Sequence, residues 1–156
     1  MDPQTHFLFP FTLSVILVKL NLFSWKLALL AGIVGVIVDL DHYVEQIAHA
    51  KTNRFSLTAT WNNAVRFHRF NQRSFIHDGI GAIIVTLVLL VLAFFSGQIT
   101  LALGFGYYSH LLLDYARLKH EKEFCWKLGV FYMKESELEF ILDALLIVVL
   151  LILFLI

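Results

Sequence analysis

Five long apolar runs divide the chain: Phe7 to Leu22, Leu27 to about Asp41, Gly79 to Phe95, Ile99 to Tyr115 and Leu138 to Ile156. None alternates with a period of two, so the pattern predicts helices rather than strands. Pro10 falls in the first turn of the first run, where a missing N–H costs little. Leu22 to Trp25 reads as a tight turn, with Trp25 and Lys26 as an interfacial anchor. The second run carries Gly32 and Gly35, which permit close approach of a neighbouring helix. It is short for a bilayer, so its acidic end is expected to thin the membrane or to lie below the lipid surface.

Two polar stretches separate these runs. In the first, Glu45 to Asp78, Tyr43 to His49 can continue the second helix. Thr58 to Phe70 mixes Trp61, Val65, Phe67 and Phe70 with basic residues, as a helix lying on a membrane surface does. The second, Arg117 to Glu137, is a polar connection interspersed with Phe124, Trp126, Phe131 and Tyr132.

Composition decides the class. The chain of 156 residues is 59% hydrophobic and 15% charged, with mean hydropathy +0.77, far from a soluble domain. Only helices and closed barrels span a bilayer, and unbroken runs favour helices. The expected fold is an all-α polytopic membrane bundle: about five transmembrane helices plus interfacial helices, in one integral domain over residues 1–156. A net charge of zero gives no bulk attraction to nucleic acid. The single cysteine, Cys125, excludes an internal disulfide and a thiolate metal cluster. No cleavable signal peptide is expected, because Asp2 and no basic residue precedes the first run.

Five spans put the N-terminus and both polar stretches on one face. All but Lys19 and Lys26 of the 12 Lys and Arg fall there, which makes that face cytoplasmic and the C-terminus external. The same face takes all 12 carboxylates and all 7 histidines. His6 opens the first span; Asp39, Asp41 and His42 close the second; His77 and Asp78 open the third; His110 and Asp114 close the fourth. Glu137, Glu139 and Asp143 begin the fifth. Ionisable groups so close to hydrocarbon pair, bind an ion or serve a pathway.

His110 and Asp114 are four residues apart, so on a helix both face one way and can hold one divalent cation. A helix-end hydrogen-bonded pair is the plainer alternative. Asp39 and Asp41 point about 200° apart on a regular helix. Either the helix unwinds after Val38 so that both reach one centre, or one ligates and the other accepts a proton from a ligating imidazole. His68, Arg69, Arg73 and His77 form a further group, in which an arginine suits a phosphate or carboxylate. His49 and His120 read as surface histidines. Imidazoles and carboxylates without thiolates suit zinc, with manganese or iron as alternatives.

Thr5-His6, the glycine-bearing span ending in Asp39-Leu40-Asp41-His42, Arg73-Ser-Phe-Ile-His77 and Gly106-Tyr-Tyr-Ser-His110-Leu-Leu-Leu-Asp114 resemble the membrane-bound metal-dependent hydrolases, small multi-span prokaryotic proteins. The resemblance covers roughly residues 5 to 115. It implies a site for one or two metal ions from His6, Asp39, Asp41, His77, His110 and Asp114. Two features depart from the family pattern. Val38 stands where proline usually precedes the first aspartate, and Gln72-Arg73 and Asp78 stand where the third motif has His-Arg and a serine.

The expected activity is hydrolysis at the cytoplasmic membrane surface. Asp41 or Asp78 would act as general base, Arg73 would hold the substrate anion, and a lipid or lipid-linked phosphoester would be the substrate. A non-enzymatic metal-binding membrane protein (a sensor, transporter or adaptor) is the rival expectation.

Overall fold

A computed structural model of the chain describes residues 2–63, 75–115, 118–120, 123–128 and 131–155. The elements in order are α1 (Pro3–Lys19), α2 (Trp25–Ile37), α3 (Leu40–His49), α4 (Leu57–Trp61), a 3₁₀ turn (Phe75–His77), α5 (Gly79–Ala93) and α6 (Gly97–Tyr115). Strands β1 (Leu118–His120), β2 (Glu123–Leu128) and β3 (Phe131–Lys134) come next, and α7 (Glu135–Leu155) is last. The molecule is overwhelmingly helical.

Helices α1, α2 and α6 pack against one another, α7 lies on α1, and α5 lies on α6. Small residues let the central three approach closely. A Cβ on Gly106 would meet the Ala31 carbonyl at 2.6 Å, and one on Gly35 would collide with the His6 carbonyl. Between the helices, Val15 and Ala28 pack with Leu150, while Phe23, Ala31 and Ala102 form a second apolar cluster.

The outer faces are apolar as well. Ile83, Leu87 and Leu90 on α5 and Phe140, Leu145 and Leu151 on α7 are all more than half exposed. Such surfaces are satisfied by lipid rather than water. Among the described residues, two helical stretches are long and apolar enough to cross a membrane: Trp25–His49, of 25 residues, and Ser136–Leu155, of 20.

Helix α1 starts before its apolar run. Pro3 takes the first turn, so Pro10 lies inside the helix, which corrects the placement of Pro10 at its start. A proline has no N–H to give the carbonyl four residues back. That carbonyl belongs to His6, and Gly35 of α2 packs directly against it. The α1–α2 connection is the expected tight turn. Asn21 adopts a left-handed φ of 60° there, and Ser24 Oγ caps α2 by accepting from Leu27 N at 3.4 Å.

Helices α2 and α3 form one run with a two-residue break at Val38–Asp39. Val38 keeps its N–H and bonds Val34 O at 3.3 Å. Asp39 N bonds Val36 O and His42 N bonds Asp39 O, both at 3.1 Å. The run tightens into 3₁₀-type bonds instead of unwinding. Gln46, almost fully buried, fastens α3 to the chain beyond it. Its Nε2 donates to Asn53 O at 3.3 Å, and its Oε1 accepts from Asn63 Nδ2 at 2.9 Å.

The amphipathic helix expected over Thr58 to Phe70 is represented by α4, begun by Ser56 Oγ accepting from Ala59 N at 3.2 Å. Residues 64–74 lie outside the described residues. The second polar connection is more ordered than a plain linker: β1, β2 and β3 form an antiparallel meander, with Leu118 paired to Cys125 and Cys125 to Lys134. The physical reason is local. Phe124, Trp126 and Leu128 alternate with Glu123, Cys125 and Lys127, the period of a strand.

Candidate metal centre

Four separate elements bring imidazoles and carboxylates to one place. Helix α1 supplies His6. The α2–α3 break supplies Asp39, and α3 supplies Asp41 and His42. The 3₁₀ turn before α5 supplies His77, and the last two turns of α6 supply His110 and Asp114. His6 and His110 are essentially inaccessible to solvent, and His77 and Asp41 are buried.

Ligand atoms of His6, Asp39, His110 and Asp114 all lie within 4.8 Å of one another. Those of Asp39, His42 and His77 do the same. His110 Nε2 is 3.5 Å from both Asp39 Oδ1 and Asp114 Oδ2, and His6 Nε2 is 3.5 Å from Asp114 Oδ1. Two nitrogen or oxygen ligands of a tetrahedral zinc ion stand roughly 3.3–3.5 Å apart, given bonds of about 2.0–2.1 Å. The three 3.5 Å spacings among His6, Asp39, His110 and Asp114 match those of a four-coordinate divalent ion, whereas His77 Nε2 and His110 Nε2, at 2.8 Å, are too close to be two ligands of one such ion as they stand.

The tautomers are set by the partners. His110 Nδ1 lies 2.7 Å from the Gly35 carbonyl, and His77 Nδ1 lies 2.6 Å from Asp41 Oδ2. A carbonyl and a carboxylate only accept, so both Nδ1 atoms donate. In the neutral ring each Nε2 is then a bare lone pair, and the two Nε2 atoms face each other at 2.8 Å. Two lone pairs at that distance repel. A cation beside them, or a proton between them, resolves the conflict. The Asp39 and Asp114 oxygens around the same point favour positive charge there.

Two of the imidazoles are held from behind, whereas the buried His6 Nδ1 has no hydrogen-bond partner among the described residues. The Gly35 carbonyl and the Asp41 carboxylate orient His110 and His77 through the nitrogens that face away from the centre, as partners of metal-bound histidines do. Of the two arrangements open to the paired aspartates, the geometry turns Asp39 toward the imidazole cluster and Asp41 onto His77 Nδ1. Tyr107 Oη donates to Ile76 O at 2.8 Å, and Tyr115 Oη donates to the His77 carbonyl. These bonds pin the 3₁₀ turn to α6. Sequence reasoning passed over both tyrosines. The i, i+3, i+7 spacing of Tyr107, His110 and Asp114 puts them on one helix face, and that was the available signal.

The remaining candidates fall elsewhere. Asp78 is exposed and caps α5 through Gly79 N at 2.7 Å; it is not brought to the cluster. Glu137 and Glu139 serve backbone ends, accepting from Lys134 N at 3.3 Å and Asp2 N at 2.6 Å. His49 pairs with Glu45 at 2.8 Å on an exposed surface, in keeping with its expected role. Arg73, His68 and Arg69 lie outside the described residues.

The family model of the YdjM inner membrane protein matches residues 1–119. The chain belongs to that family. The match includes every member of the cluster, and the family's name carries an inner membrane and no reaction. No curated protein and no solved structure matches the chain.

Proposed function

We propose that this member of the YdjM inner membrane protein family is a membrane-embedded metal-dependent hydrolase acting on a lipid or lipid-linked phosphoester. The observation that carries the reading is the convergence of His77 Nε2 and His110 Nε2 on the carboxylates of Asp39 and Asp114. His6, Asp39, His77, His110 and Asp114 would hold the metal. Zinc suits this set best, with manganese and iron as alternatives. A divalent ion supplies Lewis acidity: it makes water a nucleophile near neutral pH and polarises a phosphoryl oxygen.

The chain's own residues supply the rest. Asp41 fixes the His77 ring, and its second oxygen, Oδ1, is buried with no hydrogen-bond partner among the described residues, so it can take a proton. Arg73, four residues before His77, would clamp the substrate anion with its planar fork. In this reading the chain is one integral domain of five spans, α1, the α2–α3 run, α5, α6 and α7. The N-terminus is cytoplasmic and the C-terminus external, so the cluster lies at cytoplasmic headgroup depth.

A metal-binding protein without hydrolytic activity is the second reading. Thr12 and Ser14 favour it: both are buried within α1, with hydroxyls that have no hydrogen-bond partner among the described residues. A path across the bilayer needs such groups. The deciding experiment incubates metal-loaded protein in mixed micelles with phospholipids, lysophospholipids and isoprenoid phosphates. The hydrolase reading requires turnover of at least one, abolished by chelation. Bound metal with no turnover under zinc, manganese or iron leaves the binding protein.

A further inference from the structure

We propose that the cluster is built for two cations, with Asp39 and Asp114 shared between them and His42 as a ligand of the second. The inference rests on the metal reading above and deepens it. Six side chains present donor atoms: His6, Asp39, His42, His77, His110 and Asp114. A four-coordinate ion is satisfied by four.

The donors form two groups that share Asp39: His6, Asp39, His110 and Asp114 in one, and Asp39, His42 and His77 in the other. The rings of His6 and His110 stack at 3.9 Å and those of His42 and His77 at 5.4 Å, and the two pairs meet where His77 and His110 pack edge to face at 4.9 Å. Both carboxylates stand between the pairs. Asp39 Oδ1 is 3.5 Å from His110 Nε2 and 3.6 Å from His42 Nε2. Asp114 Oδ2 is 3.5 Å from His110 Nε2 and 3.6 Å from His77 Nε2. A carboxylate equidistant from ligands of two centres is placed to bridge them. The opposed lone pairs of His77 and His110 then belong to different ions.

Charge argues the same way. Asp39, Asp41 and Asp114 are all at least three-quarters buried. Three carboxylates against one divalent ion leave the cluster itself net negative, so that Arg73 would only bring the site to neutrality. Against two ions the balance is positive, the sign a phosphoester needs. The two positions differ in access. His6 and His110 are sealed from solvent, whereas Asp39 and His42 are 24% and 20% exposed. The second ion is therefore the more readily exchanged.

The test is manganese loading of the full detergent-purified chain, read by elemental analysis and electron paramagnetic resonance. The expected result is about two ions per chain with an exchange-coupled spectrum, as close metal pairs give. His42→Ala and His42→Gln should each retain about one ion and an uncoupled spectrum, with helicity unchanged. His49→Ala, which removes an exposed histidine from the same helix, should match the wild type. One ion per chain without coupling overturns the pair and leaves the single-metal reading standing; a full complement in both His42 variants overturns His42 as a ligand of the second ion. No bound ion at all overturns both.

Discussion

His77 and His110 meet nitrogen to nitrogen at 2.8 Å, although the chain separates them by 33 residues. Neither ring is free to turn away. The Gly35 carbonyl holds one by its Nδ1 and the Asp41 carboxylate holds the other. Buried polar contacts of this kind are unfavourable unless something between or beside them carries positive charge.

Asp41→Asn tests the hold on His77. The carboxylate strengthens the imidazole as a donor and fixes its ring, and losing such a partner weakens metal binding about 10–100-fold. Zinc competition against a chromophoric chelator should show that loss with the stoichiometry unchanged. A variant that loses the ion outright would make Asp41 a ligand.

Tyr107→Phe combined with Tyr115→Phe removes two hydroxyls that bond backbone carbonyls beside the donor set and none of its side-chain donor atoms. Both bonds end on carbonyls of the turn that carries His77. The double variant should keep its helical content and lose metal affinity by about tenfold, by analogy with other partners that orient ligands. The same chelator competition measures it.

Gly35→Ala should strike helix packing and ligand orientation together. A Cβ there collides with the His6 carbonyl and stands 3.0 Å from Pro10 Cγ. Overpacking of this kind costs about 1–3 kcal/mol. Thermal unfolding in detergent should show the loss, and metal content should fall with it, because the same residue's carbonyl orients His110. Gly97→Ala, with nothing within 4 Å of the new carbon, is the matched control.

Metal affinity should fall as the pH falls. Imidazole ligands bind in the neutral form, so each competes with a proton. Ion retention after dialysis should be full at pH 8 and decline progressively as the pH falls toward 5. Affinity that is flat between pH 8 and 5 would indicate an all-carboxylate site.

The topology is open to direct measurement. The skew of basic residues predicts that a reporter fused after Ile156 is active only outside the cytoplasm. Activity inside would remove one span or reverse the orientation, and with it the cytoplasmic placement of the cluster.

The apolar runs made α5, α6 and α7 legible to within a few residues, because hydrocarbon leaves the backbone little alternative to helix. The start of α1 is less legible, because two prolines suit a first-turn position and only Pro3 occupies it. The meander over 118–134 was legible in principle from the alternation in β2, but the adjacent Phe131 and Tyr132 hide that period in β3. His110 and Asp114 stood out because helical spacing fixes them on one face. How Asp39 and Asp41 divide could not be read from spacing, since it depends on the tightening at Val38–Asp39 and on His77 arriving from another element. The roles of Tyr107, Tyr115 and the Gly35 carbonyl are tertiary, and only the spacing of Tyr107 hinted at them.

The most direct test of the centre is elemental analysis of the detergent-purified protein after zinc loading and desalting, wild type beside His110→Ala. Among the described residues, His110 is within reach of both carboxylates and faces His77 Nε2. The wild type should retain zinc and His110→Ala should lose most of it while its helicity stays the same, since stability resides in the apolar helices. A wild type that holds no zinc, manganese or iron, or a variant that holds as much metal as the wild type, would contradict the account.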